Sequence, residues 1–483
     1  MTQASQVDLD QVNRALQERF GFESLLSHQR APIERVLGLG GERGDALVVM
    51  PTGSGKSLCY QLPALVLGEQ VGGVTLVLSP LIALMEDQVS ALRKKGVRAT
   101  YVNSTLSREQ REKRYAELAA GKYELIYAVP ERMEMPAFRE ALAACPGGVN
   151  LLAVDEAHCI SQWGHDLRPA YTRVGEFRKE IGEPVTVALT ATATRAVRED
   201  IRRVLGRSDA EMPLYLEPLD RPNLSLEVRE AWGDSDKIDA IAEIAEGMAG
   251  TGIVYCALIK DLERLEAELR RRLPSRSVAR YHGRLDPRDK KRLSRQFESA
   301  TEEDNLLLIA TNAFGMGVDK ADIRFIVHAQ VPGSVEAYYQ EVGRAGRDGK
   351  PSRCVLLYAQ DDLAIQQQFA GWQNPGAGVL QELAHHAEHS PHEDFDAEEI
   401  RLEALGKRSE SGVVEYALIE LEKRGVIEGT SIPGRFRFVE PITEINEVEI
   451  EEKRLRDLQR LLKVVEMTRA EDVQKFVLEY FDE

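Results

Sequence analysis

Three short segments of this chain have the residue types and spacing of phosphoryl-transfer chemistry. The first is MPTGSGKS (50–57), between the apolar run ALVVM (46–50) and a helical pattern. Glycine and small side chains let backbone N–H groups wrap around phosphate oxygens, and a helix N-terminus favours their negative charge. Thr52, Gly53, Ser54, Gly55, Lys56 and Ser57 are therefore expected to bind ATP. Lys56 would reach the β- and γ-phosphates, and Ser57 would ligate Mg²⁺. Met50 stands where the full pattern opens on glycine. The second segment is DEAH (155–158), at the end of the run LLAVD (151–155). A carboxylate at the C-terminal end of a parallel strand lies beside such a loop. Asp155 is expected to hold Mg²⁺ through its water shell, and Glu156 to orient and deprotonate the attacking water. His158 would couple the site to its neighbours. The third is QEVGRAGRDG (340–349), with Gln340, Arg344 and Arg347. A guanidinium is a permanently charged fork, and one reaching across a cleft is worth a factor of about 10³ to 10⁵ in rate. Arg344 and Arg347 both fit, and spacing does not choose between them.

Alternating strands and helices must position these groups. ALVVM, TLVLS (75–79), LIYAV (125–129), LLAVD and TVALT (186–190) are short apolar runs separated by helical stretches. They read as buried strands of a parallel sheet covered on both faces. GIVYC (252–256), LLLIA (306–310) and FIVHA (325–329) repeat the theme. The expected fold is α/β, with two tandem RecA-like domains at 1–208 and 209–365. Beyond them, 410–429 carries a helical stripe at Val413, Val414, Ala417, Leu418 and Leu421 that Gly425 stops, and SIPGRFRFVE (431–440) alternates like a hairpin. This predicts a winged-helix-like domain over 376–440, or a small helical packing domain. Leu455, Leu458, Leu461 and Leu462, then Val473, Phe476, Val477 and Tyr480, mark a helical hairpin over 441–483.

Composition narrows the classes. The 483 residues suggest roughly three domains at about 150 residues each. Apolar residues at 43% and charged residues at 29% are globular proportions. No run of eighteen apolar residues and no basic-then-apolar start occurs, so neither a membrane span nor a signal peptide is expected. A cytoplasmic protein is expected, nucleoid-associated if bacterial. The five cysteines include no C-x-x-C pair, so no zinc is expected. A net charge of −17 weighs against nucleic acid, but a local basic groove can exist within an acidic molecule.

With ALTATAT (188–194), the first two segments resemble those of superfamily 2 helicases. CISQWGHDLRPAY (159–171) closely resembles the aromatic-rich loop of RecQ helicases, with Leu167 where that family has Phe. LSPLIALMEDQV (78–89), YAVPER (127–132), LDRPNL (219–224), YHGRL (281–285) and the long block 310–349 extend the likeness. The resemblance implies single-stranded DNA contacts at Trp163, His158 and Arg168, where an indole offers any base a stacking face worth about 1–3 kcal/mol. It implies an adenine site of Gln29 and Phe22, with Leu26 in place of the family's Arg, and a nucleotide-sensing role for Asp319. It also implies 3′-to-5′ travel on single-stranded and tailed duplex DNA, in repair or recombination, by a monomer that meets other repair or single-strand-binding proteins. The family's four-cysteine module is not matched. The terminal helical pair resembles its helices, with Asp472 near the first cysteine position.

Two other activities use the same engine: an RNA helicase, or an ATP-driven DNA remodeller or scaffold that does not separate strands. His385, His386, His389 and His392 cluster in a segment read as a solvated helix, although the one-turn spacing of His385 and His389 also permits a metal. Arg435 and Arg437, interleaved with Phe436 and Phe438, fit either a wing tip on DNA or a hairpin packing inward.

Overall fold

The computed structural model describes residues 7–103, 105–161, 169–314, 320–390, 394–406, 410–430, 434–442 and 445–482. Two parallel sheets organise them. The first contains β1 (Ala46–Val49), β2 (Val74–Leu78), β3 (Ala99–Val102), β4 (Leu125–Ala128), β5 (Val149–Val154), β6 (Val185–Thr190) and β7 (Leu214–Leu216), in the order β3-β4-β2-β5-β6-β1-β7. The second contains β8 (Leu224–Glu230), β9 (Thr251–Tyr255), β10 (Ser277–Tyr281), β11 (Leu306–Ala310), β12 (Ile323–His328) and β13 (Ser352–Tyr358), in the order β10-β11-β9-β12-β13-β8. These are the two RecA-like domains that the apolar runs predict. The eight strands legible as runs lie in the sheet interiors, where both faces are covered and most residues are apolar. Because β7 pairs with β1, the first sheet reaches as far as Leu216.

Each sheet is covered on both sides. In the first, Leu47 and Val49 join the core on one face, while Ala46 and Val48 join the core on the other. This alternation is the period of two expected of a pleated strand. The arrangement leaves the C-terminal strand ends free to carry loops, and the phosphate loop and DEAH lie on such ends, whereas QEVGRAGRDG spans the end of the helix Val335–Val342 and the turn that leads into β13.

The segment after the second sheet contains the helix Ala377–Glu388, β14 (Phe395–Asp396), the helix Ser411–Lys423, β15 (Ile427–Gly429) and β16 (Arg435–Phe438). β16 pairs antiparallel with both β14 and β15, which is winged-helix order. Phe436 and Phe438 pack against its core, as the inward-packing alternative has it. Arg435 pairs with Asp394 at 2.7 Å and Glu399 at 3.1 Å, and Arg437 pairs with Glu428. His385 and His389 are exposed, and His392 lies outside the described residues.

The last two helices, Glu447–Thr468 and Val473–Asp482, seat Leu461, Val464, Met467, Val473, Val477 and Phe481 in one core with Leu219, Tyr339 and Val342 of the second domain. Leu455 and Leu462, expected on the packed stripe, face outward at 49% and 56% exposure. The inward face is set instead by Leu461, Val464 and Met467, a spacing of three. The final helix also bonds to the first domain, where the Arg198 guanidinium donates to the Phe481 carbonyl at 3.3 Å. Among the described residues no helix is long and apolar enough to cross a membrane.

Candidate active site

The glycine-rich loop turns from β1 into the helix Leu58–Val71. Gly53 and Gly55 have φ of +84° and +80°, left-handed values that glycine adopts without steric cost. Both are also crowded. A Cβ on Gly55 would stand 2.5 Å from the Gln29 amide nitrogen, and one on Gly53 would stand 2.8 Å from Cδ of Arg347. The Lys56 ammonium is buried in this cradle without a hydrogen-bond partner. A buried cation without a partner is costly, so the cradle is built for an anion. The loop thus fits a nucleotide phosphate and, through Ser57 and Asp155, its divalent cation.

Asp155 continues from β5, its N–H bonded to the Leu78 carbonyl at 2.8 Å. Burial, helped by the neighbouring Glu156 charge, raises its pKa to about 6, while Lys56 pulls it down. Its carboxylate accepts from the Glu156 N–H at 3.0 Å. Glu156 sits at φ +48°, a left-handed conformation uncommon for a residue with a Cβ and one that clusters at functional sites.

His158 is 5% exposed, with Nδ1 at 2.9 Å from the Thr190 hydroxyl and 3.3 Å from the Glu156 carboxylate. It therefore joins DEAH to the ALTATAT strand end. Placing His158 among the DNA contacts is corrected on this point, because a ring buried here has no face for a strand. Trp163 and Arg168 lie outside the described residues, as does Asp319. The ends of the aromatic-rich loop are fixed: Ser161 donates to Asp200 at 2.8 Å, and the Tyr171 hydroxyl donates to the Asp155 carbonyl at 2.9 Å.

Gln29 lies with the loop. Its amide donates to the Ser54 and Gly55 carbonyls, both at 3.3 Å, and accepts from the Leu26 N–H at 3.1 Å. His28, which the motifs did not single out, bonds the Ser54 carbonyl at 3.0 Å. Phe22 is 52% exposed.

The second domain brings the helix Val335–Val342 to the same loop. A Cβ on Gly343 would stand 3.1 Å from the Thr52 hydroxyl, so the Gly343 backbone and the Thr52 side chain meet closely. Gln340, Arg344 and Arg347 are partly buried here. Arg221 and Asn223, from LDRPNL, donate to the Gly346 carbonyl at 2.9 and 2.8 Å and hold the arginine loop in place. Sequence reading did not assign that role. The likeness of LDRPNL to the family gave no partner for it, since these contacts span more than a hundred residues.

A nucleotide cleft between two RecA-like sheets defines a two-domain P-loop motor. Residues 27–200 match the DEAD/DEAH box helicase family, and residues 236–349 match the helicase conserved C-terminal domain. The probable ATP-dependent DNA helicase RecS of Bacillus subtilis is 40% identical over 362 residues, covering 75% of this chain and 69% of RecS. The ATP-dependent DNA helicase RecQ of the same organism is 41% identical, covering 74% of this chain and 58% of RecQ. Among solved structures, MrfA bound to DNA superposes with a TM-score of 0.60 at 20% identity, over 90% of this chain and 63% of MrfA. Mss116p bound to single-stranded RNA gives 0.61 at 15% identity, over 98% and 89%. At such identities these two establish the fold alone. The chain belongs to the RecQ family of ATP-dependent DNA helicases.

Proposed function

We propose that this chain uses ATP hydrolysis to move 3′-to-5′ on single-stranded DNA and to separate tailed duplexes in repair or recombination. The observation that carries the reading is Arg347 of the second domain packed on Gly53 of the phosphate loop. Lys56 and the loop N–H groups bind the β- and γ-phosphates. Ser57 and Asp155 would hold Mg²⁺, and the ion would supply charge withdrawal from the phosphate oxygens. Glu156 orients and deprotonates the attacking water, steadied by His158. Arg347, the guanidinium lying on the loop, is the finger that neutralises charge developing on the γ-phosphoryl group, with Arg344 beside it. Gln340 and Asp319 sense the nucleotide, and Gln29 and Phe22 read and stack on adenine.

Closing the cleft around ATP and opening it after hydrolysis moves one domain against the other, and alternating grips on a strand turn this into directed steps. Trp163 and Arg168 contact the strand. The end of the segment that carries them is tied by the Tyr171 hydroxyl to the Asp155 carbonyl, a hydrogen-bonded route between DNA and water activation. The protein acts as a monomer alongside other DNA-repair and single-strand-binding proteins, without a zinc centre, in the cytoplasm.

The test is strand displacement on a 3′-tailed duplex, with a 5′-tailed duplex and a tailed RNA as comparisons. ATP-dependent separation of the 3′-tailed DNA alone is expected. ATPase stimulation without separation would instead favour a remodeller, and preference for RNA would favour an RNA helicase.

A further inference from the structure

In the winged-helix-like segment, three metal-ligating side chains stand together outside the motor. The helix Ala377–Glu388 buries Leu380, Leu383, Ala384 and Ala387 in the local core and leaves His385 and Glu388 exposed. His389 caps the helix and is exposed as well. Glu388 and His389 follow His385 by three and four residues, so all three fall on one face. One ligand atom from each lies within 4.8 Å of the other two. Donors bound to one transition-metal ion at about 2.1 Å are at most about 4.2 Å apart. Small side-chain rotations therefore close the set around an ion.

Two further features favour an ion over plain solvation. The His389 Nδ1 lies 2.9 Å from the His385 carbonyl. A carbonyl can only accept, so Nδ1 carries the proton and Nε2 keeps the lone pair that a metal needs. The two rings also lie against each other, with centroids 4.3 Å apart at 43°. The second feature is the helix end itself, whose last carbonyls carry partial negative charge and favour a cation. Two imidazoles and one carboxylate suit a nickel-, cobalt- or zinc-like ion, whereas magnesium prefers oxygen ligands. We infer that His385, Glu388 and His389 form a site for a divalent transition-metal ion. The ion braces the last turn of this helix, and with it the winged-helix-like core. Three protein ligands leave the remaining positions to water, so the ion is exchangeable. The lack of C-x-x-C pairs argues against a cysteine centre and has no bearing on an imidazole one. Nothing in this site depends on the motor residues.

The test titrates the tag-free full chain with Ni²⁺ in excess Mg²⁺, which keeps the nucleotide site out of the measurement. Heat release and melting temperature are followed. Saturable binding of one ion per chain is expected, with a melting temperature that rises with ion concentration. H385Q and H389Q should each weaken binding by about 10- to 100-fold, at least the cost of losing a partner that merely supports a ligand. H386Q alters the neighbouring ring, which is not one of the three ligands, and should bind as the parent does. Co²⁺ added to the parent reads the site without any variant, through a visible absorption band from imidazole ligation. Absence of saturable Ni²⁺ binding or of the Co²⁺ band in the parent overturns the proposal. So does binding that is unchanged in both H385Q and H389Q, or lost as fully in H386Q.

Discussion

Arg347 packs on Gly53 so closely that a methyl group on the glycine would stand 2.8 Å from the arginine Cδ. One residue opens the phosphate loop of the first domain, and the other belongs to the arginine loop of the second. Removing the guanidinium should leave ATP affinity largely intact and reduce turnover. For Arg347→Ala we expect a loss of about 10³ in kcat, at the low end of what an arginine finger supplies. Steady-state ATPase assays at saturating single-stranded DNA check this.

Gly53→Ala meets two obstacles at once. The position has φ +84°, and the new methyl group runs into Arg347. The backbone strain costs about 1 kcal/mol, and the contact pushes the arginine off the loop. Turnover should fall, and the double variant with Arg347→Ala should be no worse than Arg347→Ala alone by more than the strain accounts for. Losses that simply multiply would place the two residues apart in the working enzyme.

Lys56 is a buried ammonium without a hydrogen-bond partner. Lys56→Met keeps the aliphatic stem and removes the charge. The nucleotide-free protein should melt at the same or a higher temperature, while ATP should no longer raise the melting point and hydrolysis should cease. A thermal melt with and without nucleotide separates these effects.

Asp348 anchors the end of the arginine loop through two bonds from Arg324, at 2.7 and 2.8 Å. Burial works against its charged form, yet the hydrogen bonds from Arg324 and from the Lys350 N–H prevail and lower its pKa. A carboxyl lowered in the folded state contributes stability that is complete above its unfolded pKa, about 3.9, and is lost as pH falls through the folded value. Asp348→Asn should therefore lower the melting temperature at pH 7, and the difference from the parent should shrink below about pH 4. A constant difference across that range would mean that the anchor is not electrostatic.

Legibility in the sequence followed burial. Interior strands such as LLLIA and LLAVD show as unbroken apolar runs because helices cover both faces. The strands that did not stand out include the sheet edges β3, β7, β8 and β10, where the strand is very short, as LYL of β7, or polar residues break the run, as in LSLEVRE of β8. The phosphate loop and DEAH were legible because their contacts are local. Tyr171 on Asp155, Arg221 on Gly346 and His328 on Glu341 were not, because each contact exists only once the sheets bring distant segments together. The outward turn of Leu455 and Leu462 was equally illegible, since a long helix offers several apolar stripes and only its neighbours select one.

The final helix lies in the core of one domain and yet accepts a hydrogen bond from Arg198 of the other. Such a strut links the lobes at one point beyond the nucleotide cleft residues, so the motor has a corner about which it can pivot. Each swing of the jaws must then either bend that corner or release Arg198. Trimming the chain's last turn should loosen the stroke before it touches the chemistry.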